Sequence, residues 1–293
     1  MESMTSLKKN PAASLARTGG VLLVGELEHA LLERIPAKDA CSWDRTGMLV
    51  GNPADRVRGV TVALDPTVPA ILEASSAGAN VLVTHHPVFL DPPTSFLPAS
   101  SQGQGSPGAV VRCAIEHGVS IISFHTALDV SPAGLDALAH LLRLEGAGVL
   151  EPLADDPAKG FGRICRPCDG EGPLSLRHLS ARCVSVFGVV PRVWGPADLE
   201  LNLIVTSGGS AGSLGQACLS AQVDCLVCGE MKYHEALEAA HSGLAIIELG
   251  HDVSEFPLCA VLASHLVNVG IDETCITMID QENNWYTPET LRR

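Results

Sequence analysis

The feature that most constrains the fold of this chain is a repeated alternation between short aliphatic runs and longer segments with helical spacing. Seven runs rich in Val, Ile and Leu predict buried strands, at residues 60–64, 81–84, 119–124, 183–187, 201–205, 225–228 and 245–249. Seven segments with apolar residues three and four positions apart predict helices, at residues 26–34, 68–77, 109–117, 134–142, 212–221, 234–242 and 258–269. Nearly continuous apolar strands alternating with helices are typical of sheets covered by helices. The sequence therefore predicts an α/β fold.

Two stretches rich in Pro and Gly interrupt this alternation. Residues 91–108 are dense in Pro, Ser, Gly and Gln, which predicts a mobile surface loop. Residues 151–172 contain several prolines and glycines, which predicts a linker between two lobes. We therefore expect a flexible N-terminal extension at residues 1–18, an N-terminal α/β lobe at 19–150 and a C-terminal α/β lobe at 173–293.

The charge balance disfavours partners that are polyanions. The 293-residue chain has 19 Lys and Arg against 33 Asp and Glu, so its formal net charge at pH 7 is −14. A protein this acidic is a poor candidate for binding nucleic acid or an anionic membrane, but bound metal cations can still attract an anionic small molecule. No apolar run reaches ~18 residues and no secretory signal is evident, so we expect a cytoplasmic protein with reduced cysteines.

Histidines stand where two predicted strands end. His85 and His86 directly follow the apolar run at 80–84, and His125 follows the run at 119–124. Ligands collect at the carboxyl ends of parallel strands, and neutral imidazole is the commonest transition-metal ligand. These residues therefore indicate a metal site, and a turn histidine pair packed against its neighbours is the alternative for His85 and His86.

Carboxylates recur four residues from a histidine. Asp129 follows His125 at this spacing, and Glu255 follows His251 after the strand at 245–249. On a helix, residues i and i+4 lie on the same side, so imidazole and carboxylate can converge on Zn, Mn or Fe. The alternatives are a helix cap for Asp129 and a surface pair for His251 and Glu255.

Three further polar residues follow predicted strands. Glu230 and His234, again four residues apart, are candidates for a general acid/base pair, for contacts to substrate or for support of the metal ligands. Asp65 ends the strand at 60–64, where a helix cap is the alternative. Polar groups thus end five strands, and four to six ligands fit a two-metal site with ions ~3.5–4 Å apart better than one tetrahedral ion.

Two other patterns could also bind a ligand. Cys165 with Cys168 and Cys225 with Cys228 form two CxxC pairs, which can make a zinc site. Their separation is long, and residues three apart in a strand face opposite ways, so buried apolar cysteine is favoured. The segment at 207–213 is glycine-rich, and its amides at a helix N-terminus would hold a phosphate or carboxylate, with a tight turn as the alternative.

A set of ordered motifs between Glu26 and Val269 resembles a known family. These motifs are Ser42-Trp43-Asp44 with Gly47 and Gly51, Asp65, Thr84-His85-His86-Pro87, His125-Thr126 with Asp129, Gly160-Phe161-Gly162-Arg163, Gly208-Gly209-Ser210, Gly229-Glu230 with Tyr233-His234, and Gly250-His251 with Ser254-Glu255. Together they resemble the NIF-three-like family of dinuclear metal-centre proteins, which are also labelled GTP cyclohydrolase I type 2 homologues. The chain departs from the family in Glu230, where relatives often carry Asp, and in a longer loop at 91–108.

The resemblance implies a ligand set, an architecture and an assembly. The implied metal ligands are His85, His86, Asp129, His251 and Glu255. His125 and Asp65 would lie near the site, and Gly208, Gly209 and Ser210 are the candidate anion-binding residues. The implied architecture is a pair of α/β lobes with a metal site in the cleft between them, and the implied assembly is a toroidal homohexamer.

The function expected from these residues is metal-dependent hydrolysis. We expect two divalent ions per chain, and His with carboxylate ligands admits Zn, Fe, Mn, Co or Ni. Glu230 and His234 are the candidate catalytic residues, and the substrate would be a nucleotide-like or other anionic small molecule. The alternative function is non-catalytic metal binding, metal delivery or a regulatory scaffold.

Overall fold

The computed structural model describes residues 16–17, 20–168, 173–281 and 285. The described strands are β1 (Ala16–Arg17), β2 (Gly20–Val21), β3 (Gly47–Val50), β4 (Val60–Ala63), β5 (Val81–Thr84), β6 (Ser120–Ser123), β7 (Leu144–Leu153), β8 (Asp156–Pro167), β9 (Arg192–Trp194), β10 (Ile204–Ser210), β11 (Cys225–Glu230), β12 (Ala245–Glu248) and β13 (Ile276–Met278). The described α-helices are α1 (Val24–Leu32), α2 (Val68–Ser76), α3 (Ala99–Gln102), α4 (Pro107–His117), α5 (Thr126–Asp129), α6 (Pro132–Leu141), α7 (Leu176–Phe187), α8 (Leu214–Ser220), α9 (Tyr233–His241) and α10 (His251–Asn268). They alternate with the strands, as the aliphatic runs predict.

The first of two compact units comprises Met1–His125 and Leu262–Asn284. Its five-stranded sheet has the order β13-β4-β5-β6-β3, in which β3 is antiparallel to β6 and the other neighbours are parallel. Every residue of β4, β5 and β6 is buried, which explains their unbroken apolar sequence. Because these three strands are parallel and adjacent, the side chains that follow them meet at one edge of the sheet.

The second unit comprises Thr126–Val261 and Trp285–Arg293. Its six-stranded sheet has the order β7-β8-β10-β11-β12-β9, with β10, β11 and β12 parallel and the flanking strands antiparallel. Successive residues of a strand enter different apolar clusters: Ile247 belongs to one cluster and Ile246 to another. The sheet therefore has a core on each face, as period-two alternation requires.

The strand predicted at 183–187 is wrong, because these residues form the last turns of α7. Ser175 caps this helix by accepting a hydrogen bond from the backbone N–H of His178, and Gly188 ends it with a φ of 71°. Leu176, Leu179 and Cys183 lie at helical spacing and are its buried residues. The capping residues and this spacing outweigh the preference of Val184 and Val186 for strands.

The stretch predicted as a linker at 151–172 differs in the structure. Most of it belongs to β7 and β8, which pair as an antiparallel hairpin, and residues 169–172 lie outside the described part. Pro152 lies in β7, which is an edge strand and therefore tolerates a missing backbone N–H. The chain passes from the first unit to the second between His125 and Thr126, earlier than the predicted boundary at residue 150.

Two other predicted segments contain local structure. The predicted surface loop at 91–108 includes the short helix α3 and exposes Phe96 and Leu97. Most of the predicted extension at 1–18 lies outside the described residues. Its described part includes β1, which forms a small antiparallel pair with β2. Among the described helices, none combines the length and the hydrophobicity that a membrane-spanning segment requires.

Candidate metal centre

Three imidazoles come together where β5 and β6 end in the first unit. His85, His86 and His125 have ring centroids 5.0, 5.2 and 5.5 Å apart in their three pairings. Each offers one nitrogen, and these ligand atoms lie within 4.8 Å of one another. We call these three residues the histidine cluster. Their placement follows from the parallel pairing of β5 with β6, which brings the two strand ends side by side.

The first two imidazoles of the cluster are oriented through Nδ1. His85 Nδ1 donates to the backbone oxygen of Phe124 at 3.1 Å, and His86 Nδ1 donates to Asp65 Oδ1 at 2.8 Å. A neutral imidazole that donates through Nδ1 keeps the lone pair on Nε2, which is the arrangement of metal-binding histidines. Asp65, predicted near the site, therefore lies against a predicted ligand.

The third imidazole is oriented by a carboxylate that the sequence reasoning did not assign to the site. His125 Nδ1 donates to Asp44 Oδ1 at 3.0 Å, and the Asp44 side chain is completely buried. Trp43 contacts the His125 ring edge-on, with centroids 5.8 Å apart. The motif Ser42-Trp43-Asp44 is one of those on which the family resemblance rests, and it is the sequence feature that could have identified Asp44 as a site residue.

A second missed residue fixes the position of Asp65. Gln281 Oε1 accepts hydrogen bonds from the backbone N–H groups of Leu64 and Asp65, both at 2.9 Å. Gln281 Nε2 donates to the backbone oxygen of Asp65 at 3.0 Å. Gln281 therefore fixes the backbone of Asp65, the residue that accepts the hydrogen bond from His86 Nδ1. Since Gln281 is 216 residues from Asp65, no local pattern could have identified it.

An imidazole flanked by two carboxylates forms a second cluster, in the second unit. His251 is the first residue of α10, and its Nε2 lies 3.1 Å from Oε2 of Glu255, as the spacing of four residues predicts. Its Nδ1 contacts Glu230 Oε1 at 3.0 Å. We call Glu230, His251 and Glu255 the acid–imidazole cluster. Glu230 ends β11 and His251 follows β12, so parallel pairing again brings the groups to one sheet edge.

Glycine makes room for the carboxylate of Glu255. A Cβ atom at Gly209 would lie 2.2 Å from Glu255 Oε1, and Gly209 has a φ of 60°. Its backbone N–H donates to Ser254 Oγ at 2.9 Å. Gly208, Gly209 and Ser210 end the strand β10, rather than lying at the N-terminus of a helix as predicted. Their anion-binding role stays a prediction, and the observed hydrogen bond is the one from Gly209 to Ser254.

Two predicted site residues, His234 and Asp129, belong to neither possible metal-ligand group among the described residues. Glu230 and His234 are not one helical turn apart, because Glu230 ends β11 and α9 begins only at Tyr233. His234 is exposed and packs edge-on against the Tyr233 ring, with centroids 5.3 Å apart. Asp129 ends the short helix α5 and is partly buried. The catalytic role of His234 and the ligand role of Asp129 stay predictions.

The cysteine pairs lack the geometry of a zinc site. Cys225 and Cys228 are buried in different apolar clusters, on opposite faces of the sheet. Burial raises the pKa of the Cys225 thiol well above its ordinary value and that of Cys165 to about 11, which favours the protonated form. Cys168 Sγ donates to the backbone oxygen of Arg143. Among the described residues, no cysteine belongs to a group of three possible metal ligands.

The donors of the two clusters fit a divalent transition metal. The histidine cluster offers borderline-soft imidazole nitrogens, and the acid–imidazole cluster offers an imidazole with carboxylate oxygens. Each of these two donor sets suits Zn, Fe, Mn, Co or Ni. Backbone oxygen or carboxylate oxygen holds Nδ1 of every imidazole in the histidine cluster, which leaves Nε2 as the ligand atom. The residues thus meet the chemical requirement for metal binding.

The chain is similar to known proteins over most of its length. The family model of Duf34/NIF3 (NGG1p interacting factor 3) matches residues 22–284. A Streptomyces coelicolor protein named GTP cyclohydrolase 1 type 2 homolog is 34% identical over 250 residues, which cover 83% of this chain and 85% of the relative. A solved structure of a Bacillus cereus protein related to NIF3 aligns with a TM-score of 0.80 at 19% identity, covering 91% of this chain and 99% of that chain. The Staphylococcus aureus hypothetical protein SA1388 aligns with a TM-score of 0.79 at 22% identity, covering 92% of this chain and 100% of that chain.

Proposed function

Because the chain belongs to the Duf34/NIF3 family, we propose that residues of the two clusters, together with Asp129, bind divalent metal ions and that the protein is a metal-dependent hydrolase. The proposed ligands are His85, His86, Asp129, His251 and Glu255, and they would bind two ions per chain. His125 would lie beside them. The proposed substrate is a nucleotide-like or other anionic small molecule.

The observation that carries this proposal is that each imidazole of the two clusters has its Nδ1 against an oxygen atom. Each ring of the histidine cluster has its Nδ1 on an oxygen acceptor, and His251 has Nδ1 against Glu230. Metal-binding histidines almost always have such a partner on the second nitrogen. In the histidine cluster the three ligand nitrogens also converge within 4.8 Å of one another, and this convergence together with the Nδ1 bonds favours metal binding over packing.

The chemistry follows from what such a site does to water and to charge. Divalent ions, when bound, supply Lewis acidity and lower the pKa of water toward ~7. Glu230 would accept or hold a proton at Nδ1 of His251, and His234 would move protons at the exposed start of α9. Hydrolysis also agrees with the name of the Streptomyces coelicolor relative, GTP cyclohydrolase 1 type 2 homolog, which we extend to this chain only as a proposal.

Elemental analysis and an activity panel test the proposal together. Protein purified without added metal is expected to hold about two ions per chain. Loaded protein is expected to release product from at least one substrate in a panel of nucleotides, phosphoesters and pterin precursors. Two tightly held ions without turnover would instead favour the second function, metal binding or delivery. Protein without metal that gains no affinity on titration with Zn²⁺, Mn²⁺ or Fe²⁺ would contradict both.

We also propose a toroidal homohexamer in the cytoplasm, with no direct binding of nucleic acid or membrane. The net charge of −14 supports the exclusion of polyanionic partners. Light scattering after gel filtration tests the assembly: the expected mass is six times the 30.6 kDa of the chain, and a monomeric mass at micromolar concentration would contradict it.

A further inference from the structure

A buried acid that the metal-binding proposal does not use lies at the end of β12 in the second unit. The Glu248 side chain is only 4% exposed and accepts hydrogen bonds from three residues. Arg192 donates to both carboxylate oxygens through Nε and Nη2, at 2.5 Å each. Trp194 Nε1 donates at 2.7 Å and the backbone N–H of Met231 at 2.9 Å. Glu248 therefore fixes the positions of an arginine and a tryptophan.

The bonds to Glu248 keep it ionised. Burial alone raises the pKa of this carboxyl, but the hydrogen bonds from Arg192, Trp194 and Met231 outweigh burial and lower the pKa below its ordinary value. A buried carboxylate with an arginine on both oxygens is a rigid arrangement, because the planar guanidinium fork matches the carboxylate. Arg192 is thus held in one orientation before any ligand arrives.

The held guanidinium still presents donors to solvent. The Arg192 side chain is 54% exposed, and Nη1 has no hydrogen-bond partner among the described residues. Its guanidinium carbon lies 5.6 Å from the centroid of the Trp194 ring. The two N–H groups of Nη1 therefore face solvent and are available to an external acceptor.

An exposed aromatic ring completes the arrangement. Tyr233 is the first residue of α9, is 56% exposed and has its ring centroid 5.8 Å from that of Trp194. β9, which carries Arg192 and Trp194, pairs with β12, and Tyr233 follows β11. These side chains therefore lie at the edge of the sheet where parallel strands end and ligands usually bind.

We infer that Arg192, Trp194 and Tyr233, the arginine–aromatic platform, bind a planar aromatic ring that carries an anionic group, as in a nucleoside monophosphate. Tyr and Trp faces stack on such rings, and an oriented guanidinium binds phosphate or carboxylate through paired hydrogen bonds. The inference rests on the proposed function for the assumption that the ligand is a substrate or product. The binding itself follows from the platform alone.

Calorimetric titration of the full-length protein, as purified, tests the platform. The probes are guanosine 5′-monophosphate, guanosine and inorganic phosphate, so that ring and anion are assessed separately. The monophosphate is expected to bind at least tenfold more tightly than either fragment. Tyr233→Ala is expected to weaken its binding about fivefold or more, the change that ~1 kcal/mol of lost stacking produces. Tyr233→Phe keeps the ring and is expected to bind within twofold of the unmodified protein.

The arginine is tested with a double variant, because removing it alone would leave Glu248 charged and buried. R192Q/E248Q removes both charges together and is expected to reduce monophosphate binding to the level of guanosine. The matched control is R177Q/D198N, which removes an exposed ion pair in the same unit. This control and Phe96→Ala, which removes an exposed ring, are expected to change binding less than twofold.

The outcomes distinguish failure of the platform from failure of the proposed function. Unchanged monophosphate affinity in both Tyr233→Ala and R192Q/E248Q would overturn the platform, and so would the absence of binding at millimolar monophosphate. Metal content is measured for every variant. Protein that holds two ions and shows turnover, but whose monophosphate affinity is unchanged in both variants, would contradict the platform alone. Protein that binds the monophosphate through Tyr233 but holds no metal would contradict the proposed function alone.

Discussion

The hydrogen-bond partners that orient the imidazoles are more deeply buried in the histidine cluster than in the acid–imidazole cluster. In the histidine cluster, the carboxylate that holds His125 is fully buried, and Gln281 fixes the chain that carries the brace of His86. In the acid–imidazole cluster, His251 is 40% exposed and its Glu230 brace is 56% exposed, although Glu255 is buried. Hydrogen bonds in a low-dielectric interior are stronger than those in water. The first unit therefore presents its donors already oriented, whereas the second holds its imidazole less rigidly.

Loss of a ligand from the better-braced cluster should have the largest effect. We expect His86→Ala to weaken metal binding by at least about 100-fold, since removing a ligand should cost no less than the 10–100-fold lost with its supporting residues. The measurement is metal content after dialysis against a chelator. His29→Ala, on the surface of α1, is the control and should keep its metal. Full retention of metal by His86→Ala would show that the histidine cluster is a packing arrangement.

The carboxylates that orient His125 and His251 can be compared directly. Asp44→Asn and Glu230→Gln each remove one charge while keeping size and an oxygen acceptor. We expect Asp44→Asn to weaken metal affinity about 10–100-fold and Glu230→Gln less than tenfold, because the exposed carboxylate is screened by water. Competition with a fluorescent chelator measures both. Equal effects, or a larger effect at Glu230, would contradict the difference in bracing that we assign to the clusters.

The sequence reveals elements and ligands whose determinants are local. β4, β5 and β6 are predictable because burial on both faces leaves continuous apolar runs, and His251 with Glu255 is predictable because one helical turn joins them. β7 and β8 escape prediction because they are partly exposed and contain Gly and Pro. The contact of Asp44 with His125 spans 81 residues and is set by tertiary packing, which periodicity does not encode.

Substitution of Gly209 tests whether the space that this glycine leaves for Glu255 matters for metal binding, apart from the strain of a positive φ. Gly209→Ala should destabilise the protein, because φ is positive there and the new Cβ would meet the Glu255 carboxylate. Gly188→Ala is the matched control, with a φ of 71° and no atom within 4 Å of the new Cβ. Both variants should lose about 1–2 kcal/mol from the left-handed backbone. Only Gly209→Ala should also weaken metal binding, so equal metal affinity in the two variants would remove Glu255 from the proposed site.

The smallest expected effect concerns pH and compares one partly or fully buried titratable group in each unit. Burial, and then the charge of Arg34, lower the pKa of His265 in the first unit, and its ring nitrogens have no hydrogen-bond partner among the described residues. Glu248 in the second unit also has a lowered pKa. In both cases the unfolded chain binds the proton more readily, so stability falls as pH decreases below the unfolded pKa and through the folded one.

The two groups act in separate pH windows, which makes them distinguishable. His265 should reduce stability from about pH 6.5 downward, whereas Glu248 should do so only below about pH 4.5. We therefore expect His265→Gln to flatten the decline in melting temperature between pH 6.5 and 5, relative to the unmodified protein. Glu248→Gln lowers stability throughout but should leave the slope in that window unchanged. A His265→Gln slope equal to that of the unmodified protein would mean that the folded state accepts a proton at His265 as easily as the unfolded chain does.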